Sequence, residues 1–435
     1  MSVLITVIIV DTSLVKISNY IGGGWFLSSN IMVIVFIGMS TTYVIGQHLI
    51  FRLVKQRSKE INTSGKASTM INNLFGICQH ALSLFLLYVI LQIFFESYYS
   101  SIMLTTVVSI SYVAAVIMLA VLARQFFGWL KVNKTSVVLV YGLSTALLAS
   151  NAGITLVFVD YITLNMPTTI GPHTQGVYYF YIPGSMTSFL NASYIISSFI
   201  SFVLTWGATA LLLHHYSQRI GRIKYWITVS LPLVYFVSQF ISLFLNLFES
   251  ILRSNPIFYG ILLSIIFTVS TPAGGILFGI AFWTMSRTFP KSSIIRDYVL
   301  VAAVGFVLLF VSNQAIVLLV APYPPFGLAS SAFVGLSSYL ILIGLYYSAI
   351  TFSKDAELRK TIRESTVKEL RLLGSIGSAQ MEEEIKKMVM KIVKEQKEKI
   401  DEAERFIPSS LDEDDLSTYM EQVLNETKIQ KKDDL

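Results

Sequence analysis

Long apolar runs alternate with short polar segments over the first 352 residues of the chain. A run of ~20 apolar residues is long enough to cross the ~30 Å hydrocarbon layer of a bilayer as a helix. Nine runs reach that length: 31–53, 70–95, 101–123, 135–159, 188–214, 225–248, 257–285, 298–320 and 330–352. The pattern predicts an all-α, polytopic bundle of about nine transmembrane helices.

Residues 1–30 differ from these spans. Their apolar stretch, Ser2 to Val10, is too short to cross a bilayer, and Asp11, Lys16 and a run of three glycines follow it. We interpret residues 1–30 as a segment on the outer face of the membrane, for which a re-entrant turn is one conformation. A tenth span is the alternative.

Composition divides the chain into two regions. Only 13% of the residues are charged and 54% are apolar, so lipid has to cover surface that no soluble domain could bury. Residues 1–352 contain 16 Lys/Arg and 6 Asp/Glu, whereas residues 353–435 contain 16 and 20. We therefore expect a membrane domain over 31–352 and a charged tail over 353–435. The basic balance of the membrane domain reflects orientation, so no nucleic-acid partner is expected.

Basic residues alternate between the loops. Fourteen Lys/Arg fall in the first, third, fifth and seventh loops, against two, Lys16 and Arg253, in the N-terminal segment and the other loops. Positive loops stay on the cytoplasmic side. The sequence thus predicts a multi-pass protein with its N-terminus outside and its C-terminus in the cytoplasm.

The residue pattern of the tail predicts helices. Residues 374–378, Gly-Ser-Ile-Gly-Ser, are typical of a hinge, and the segment after it places Ile385, Met388 and Ile392 on one stripe. We expect a cytoplasmic helical tail that recruits a soluble protein, self-associates or folds back on the basic loops. A solvated trafficking tail is the alternative.

Weak internal similarity indicates a duplication. Ser150-Asn151 and Ser312-Asn313 are separated by 162 residues, as are Gln56-Arg57 and Gln218-Arg219. Two parallel four-span repeats, 31–159 and 193–320, would be related by an axis along the membrane normal, with one further span before the tail. Chance similarity between short apolar words is the alternative.

Candidate solute-binding residues are polar side chains inside the spans, including the repeated asparagines, and residues at a break in the seventh span, where a proline and glycines free backbone groups. They are Asn151, Asn313, Gln314, Thr271, Pro272, Gly274, Gly275 and His80. Taken singly, the amides are equally suited to cross-linking helices, and the proline to a plain kink.

The loops predicted outside are aromatic and rich in proline. Tyr178, Tyr179, Tyr181 and Tyr323 are candidates for recognition there, with interfacial anchoring as the alternative.

The sequence does not contain the residues that several kinds of transport and catalysis require. No Asp, Glu, Lys or Arg lies deep in a span, phosphate-loop and protease motifs are missing, and Cys78 is the only cysteine. We expect no enzyme activity, no cofactor and no metal.

The leading hypothesis is binding or passage of a small, uncharged or weakly charged solute between the two halves. The alternative is a membrane sensor or scaffold whose tail recruits a soluble partner.

Two stretches, residues 322–327 and 368–381, resemble segments of uncharacterised multi-span archaeal membrane proteins. The resemblance covers only these stretches and implies no activity. It favours a location in a single cell membrane.

Overall fold

The computed structural model describes residues 5–11, 14, 29–60, 66–164, 167–172, 184–214, 221–230, 232, 275–287, 289, 293–313, 323–354 and 371–403. Its elements are α1 (Ser29–Glu60), α2 (Lys66–Glu96), β1 (Tyr99–Ser100), α3 (Ser101–Val132), α4 (Ser136–Thr163), β2 (Thr169–Ile170), α5 (Met186–His214), α6 (Gly275–Ser286), α7 (Ile294–Ser312), α8 (Leu328–Lys354) and α9 (Arg371–Ala403). Residues 5–11 and 222–230 are also helical.

Within these ranges seven helices, α1–α5, α7 and α8, are long and apolar enough to cross a membrane. The chain is therefore a multi-pass, helical integral membrane protein. The seven helices correspond to seven of the predicted spans. The predicted spans 225–248 and 257–285 lie largely outside the described residues, so the count of nine, the repeats and the orientation stay predictions.

Helix α7 ends inside the eighth predicted span. The sequence predicted a helix over 298–320, but α7 stops at Ser312, and Asn313 leaves the helical region with φ −74° and ψ 67°. Asparagine favours helix ends because its side chain forms hydrogen bonds that compete with the helical backbone. The Asn313 amide bonds to two other helices, as described below. Residues 314–320 lie outside the described part of the chain.

Helix α8 is the centre of the described bundle. All of its residues are buried except Tyr346, Thr351 and Lys354. An apolar helix can face lipid or a protein interior, and the burial of α8 on every side places it in the interior. Helices α1, α2, α3 and α7 contact it, through Tyr43 on Phe333, Phe75 on Tyr339, Ser111 on Gly335, and Ala302 beside Gly344.

Close backbone approach holds α7 against α8. A Cβ atom on Gly344 would lie 2.5 Å from the backbone nitrogen of Ala302 and 2.7 Å from the carbonyl oxygen of Tyr298. A Cβ atom on Gly305 would lie 2.9 Å from the backbone nitrogen of Ile341. Small residues at such crossings allow the dispersion contacts that drive helix association in lipid.

Asp11 caps the first turn of α8. Its carboxylate accepts hydrogen bonds from the backbone N–H of Gly327 (2.9 Å) and Ser330 (3.1 Å) and from the Ser330 hydroxyl (2.6 Å). These bonds satisfy donors that a helix N-terminus leaves open, and a negative charge suits that end of the helix dipole. Burial raises the pKa of the Asp11 carboxyl, and the bonds from Ser330 and Gly327 oppose that shift. The sequence pattern predicted only an outer segment around Asp11 and did not indicate this role.

A short antiparallel β ladder lies at the same end of the bundle as Asp11. Strand β1 pairs antiparallel with β2, with Tyr99 opposite Ile170. Tyr99 is fully buried and stacks on Tyr323 with ring centroids 6.5 Å apart. These contacts tie the α2–α3 connection to the segment that precedes α8.

The start of the predicted tail belongs to the bundle. Contacts divide the chain into two compact units, Met1–Met381 and Glu382–Leu435. In the first unit Leu372, Leu373 and Ile376 are buried, and the Gln380 side-chain oxygen accepts a hydrogen bond from the Trp129 indole (3.0 Å). The prediction of a hinge at residues 374–378 is wrong. Helix α9 continues through these residues, and Gly377 lies against the Phe352 ring.

The α7–α8 crossing gives the first prediction. Gly344→Ala should lower the melting temperature of the detergent-solubilised protein, because its methyl group would overlap the α7 backbone at a cost of roughly 1–3 kcal/mol. Gly38→Ala is the matched control, since nothing lies within 4 Å of a Cβ atom there. It should be neutral or stabilising. Equal melting temperatures for the two variants would refute the close-approach model.

The Asp11 cap gives the second prediction. Asp11→Ala should destabilise the protein by about 1–2 kcal/mol, the usual scale of a lost helix cap. Ser330→Ala removes only the hydroxyl's bonds to Asp11 and to the Ile8 carbonyl oxygen, keeps both backbone bonds to Asp11, and should cost less. Thermal unfolding followed by tryptophan fluorescence would measure both effects. A wild-type melting temperature for Asp11→Ala would rule out the cap.

Candidate functional site

Two of the predicted solute-binding residues meet in the structure. The Nδ2 group of Asn313, just after α7, lies 3.5 Å from Oδ1 of Asn151 in α4 and donates a hydrogen bond to it. The two residues are 162 positions apart in the chain. Asn151 is buried, with 1% of its surface exposed. The amides that the sequence singled out by their repeated setting therefore share one site.

A one-way chain of hydrogen bonds runs through this site. The Tyr112 hydroxyl donates to Oδ1 of Asn313 (2.7 Å), and Nδ2 of Asn151 donates to the Ser197 hydroxyl (2.9 Å). Ser197 then donates to the carbonyl oxygen of Tyr194 (3.0 Å). Bonds aligned in this way polarise one another. The chain links α3, α7, α4 and α5, and we call its side chains, Tyr112, Asn313, Asn151 and Ser197, the asparagine relay.

The link between the two asparagines is the weakest in the relay. At 3.5 Å it exceeds the usual 2.7–3.2 Å length of an N–H···O bond, whereas the bonds on either side of it are of normal length. All four side chains are uncharged. The relay can therefore open at this link and rebind a neutral group without separating charges.

The first described residue of α6 lies beside the same part of α7. A Cβ atom on Gly275 would lie 2.9 Å from the Val307 carbonyl oxygen and 3.2 Å from Cβ of Phe310, one helical turn before Asn313. Gly275, the one described residue of the predicted break, therefore lies near the relay. Thr271, Pro272, Gly274 and Gln314 lie outside the described residues.

His80 is not part of the relay. It is exposed on α2, and its ring centroid is 6.2 Å from that of His48 on α1. Both histidines follow a glutamine in the sequence, Gln47 and Gln79, and these glutamines are buried. The predicted site thus separates into two places in the fold.

A second polar set surrounds Gln47 and Gln79. Nε2 of Gln47 donates to the Ser83 hydroxyl, which donates to the backbone carbonyl oxygen of Gln79 (2.9 Å). Ser40 and Tyr43 lie on the same side of α1 as Gln47, at helical spacing. We call Ser40, Tyr43, Gln47, Gln79 and Ser83 the glutamine layer.

The glutamine layer holds buried polar atoms without partners. Within the part of the chain that the structure describes, no hydrogen bond reaches the Ser40 and Tyr43 hydroxyls, Oε1 of Gln47, or Oε1 and Nε2 of Gln79. Each buried group left unsatisfied costs about 1–3 kcal/mol. The side chains of the asparagine relay form hydrogen bonds with one another, whereas several polar atoms of the glutamine layer have no partner among the described residues.

The aromatic candidates are only partly described. Tyr323 is half-buried and stacks on Tyr99, and burial raises the pKa of its hydroxyl. Tyr178, Tyr179 and Tyr181 lie outside the described residues.

Sequence reasoning missed two members of the relay, Tyr112 and Ser197. Both lie in spans that are rich in similar residues, so their neighbours in sequence do not distinguish them. Only the packing of α3 and α5 against α4 and α7 selects them.

Comparison of the chain with protein-family models, with curated proteins and with solved structures gave no match.

Proposed function

We propose that this integral membrane protein binds a small, uncharged polar solute at the asparagine relay and passes it across the membrane. The observation that carries the proposal is the meeting of Asn151 and Asn313 where α7 ends. Helix ends inside a membrane domain are the usual sites of solute binding in transporters, because they expose backbone groups to a ligand.

The long Asn151–Asn313 contact supplies the binding chemistry. A solute with one donor and one acceptor can replace that single weak bond with two bonds of normal length. Nδ2 of Asn313 would donate to the solute, and Oδ1 of Asn151 would accept from it. The bonds to Tyr112 and Ser197 hold both amides in place during the exchange.

The relay favours a neutral solute. Its four side chains carry no charge, and an ion held only by neutral groups in an apolar interior bears a large desolvation cost. Hydroxyl and amide compounds meet the requirement.

The third prediction tests the relay. Proteoliposomes with the wild-type chain should swell faster than empty liposomes in glycerol or urea, as followed by stopped-flow light scattering. Asn313→Ala should reduce the protein-dependent rate by about tenfold, because one lost hydrogen bond of about 1.4 kcal/mol in the transfer step corresponds to that factor.

The control for this test is Asn73→Ala, since Asn73 is exposed near the start of the α2 span. It should keep the wild-type rate. Wild-type rates for Asn313→Ala, with a melting temperature unchanged, would overturn the proposed role of the relay.

A sensor or scaffold is the second candidate function, and the tail helix favours it. Beyond Met381, α9 exposes Ile385 (44%), Met388 (64%) and Ile392 (48%) on one side. Before Met381, the same helix is held by Gln380 against α3. In this alternative, a cytoplasmic protein binds the exposed side and α9 carries the signal to the bundle.

The fourth prediction separates the two functions. Truncation after Met381 removes the second compact unit and keeps the residues that pack in the bundle. Solute-dependent swelling should stay within about twofold of wild type if the relay acts alone. In the sensor alternative, capture of a cytoplasmic partner should be lost on truncation and also in full-length Met388→Asp. Undiminished capture by both variants would exclude the tail as the recruiting element.

A further inference from the structure

The glutamine layer lies in an enclosed position between three helices. Tyr43 packs edge-on against Phe333 of α8 with ring centroids 4.4 Å apart. About two turns further along α1, Phe51 contacts Phe75 of α2 (5.9 Å), which stacks on Tyr339 of α8 (4.2 Å). Aromatic contacts thus flank Gln47 and Gln79 on both sides along the helix axes.

Open hydrogen-bonding capacity in such a place requires a partner. Gln79 is 95% buried, Gln47 98% and Ser40 fully buried, yet polar atoms of all three find no partner among the described residues. Lipid and aromatic rings cannot supply one, so a small polar molecule that enters the layer would meet groups that the described residues leave unsatisfied. We propose that the glutamine layer is a second binding site, distinct from the asparagine relay, for a small uncharged molecule that carries a primary carboxamide or urea group.

The open atoms define this ligand class. Oε1 of Gln47 and Oε1 of Gln79 need donors, whereas Nε2 of Gln79 needs an acceptor. A primary carboxamide has two N–H donors and one carbonyl acceptor, which is the complementary set. The Tyr43 and Ser40 hydroxyls can donate or accept, so they extend the site along α1 by up to ~10 Å.

The polar set of the layer explains why a neutral ligand is selected. None of its five side chains carries a charge. His48 and His80 follow the two glutamines in sequence, lie 6.2 Å apart and are exposed. They lie on the outward-facing sides of α1 and α2, next to the layer.

Binding of acetamide tests the proposal. The full chain would be placed in lipid nanodiscs and studied by saturation-transfer difference NMR with acetamide, and with acetone as a probe of similar size that lacks N–H donors. We expect saturation of acetamide and none of acetone. Gln79→Met, which keeps the side-chain shape, should weaken acetamide binding by about tenfold. Gln56→Met, an exposed change on the same α1 helix, should not.

Further variants keep the test decisive. Tyr43→Phe removes only a hydroxyl, so it should weaken acetamide binding even if Gln79→Met fails to fold. Acetamide also has the groups that the relay binds, so the measurements are repeated in an Asn313→Ala background that removes the relay's share. Acetamide binding should persist there and should still be weakened by Gln79→Met, which separates this site from the relay. No acetamide signal with wild type, equal signals for acetamide and acetone, or full binding by both Gln79→Met and Tyr43→Phe would overturn the proposal. The first of these outcomes would leave water as the partner of the layer.

Discussion

The packing of α8 against its neighbours is the contact on which the rest of the described bundle depends. An apolar helix gains no hydrophobic stabilisation when it exchanges lipid contacts for contacts with another apolar helix. Helices in a membrane therefore associate through close fit and hydrogen bonds. The glycines at the α7 crossing provide the fit, and Ser111 of α3 provides bonds to the Ser331 carbonyl and the Gly335 N–H. Because α8 is surrounded, the positions of α1, α2, α3 and α7 are set relative to one another.

The two polar sets differ in a way that follows from this packing. The asparagine relay lies where α7 ends, and its side chains complete one another across four helices. The glutamine layer lies between helices that are joined by aromatic contacts, and the Gln79 side chain finds no partner among the described residues. A closed set and an open set in one bundle are suited to different tasks. The first can hold helices and exchange one weak bond, whereas the second retains capacity for another molecule.

Much of the architecture could be predicted from the sequence, because span length and apolar content follow directly from bilayer thickness. Asn151 and Asn313 could also be named in advance, since polar residues are conspicuous in apolar runs. The central place of α8 could not, because its serines and glycines read equally well as a lipid-facing or a buried helix. The end of α7 at Ser312 and the continuous helix through residues 374–378 depend on tertiary partners, Tyr112 in one case and Phe352 in the other. Local propensity contains no information about those partners.

The Asp11 cap has a consequence for biosynthesis. Asp11 is separated by 316 and 319 residues from Gly327 and Ser330, so it leaves the ribosome long before its hydrogen-bond donors do. Until α8 is inserted, the carboxylate has to stay in contact with water. The cap therefore forms only after α8 has been inserted, which makes the docking of residues 5–11 later than the insertion of a helix that was translated long after them.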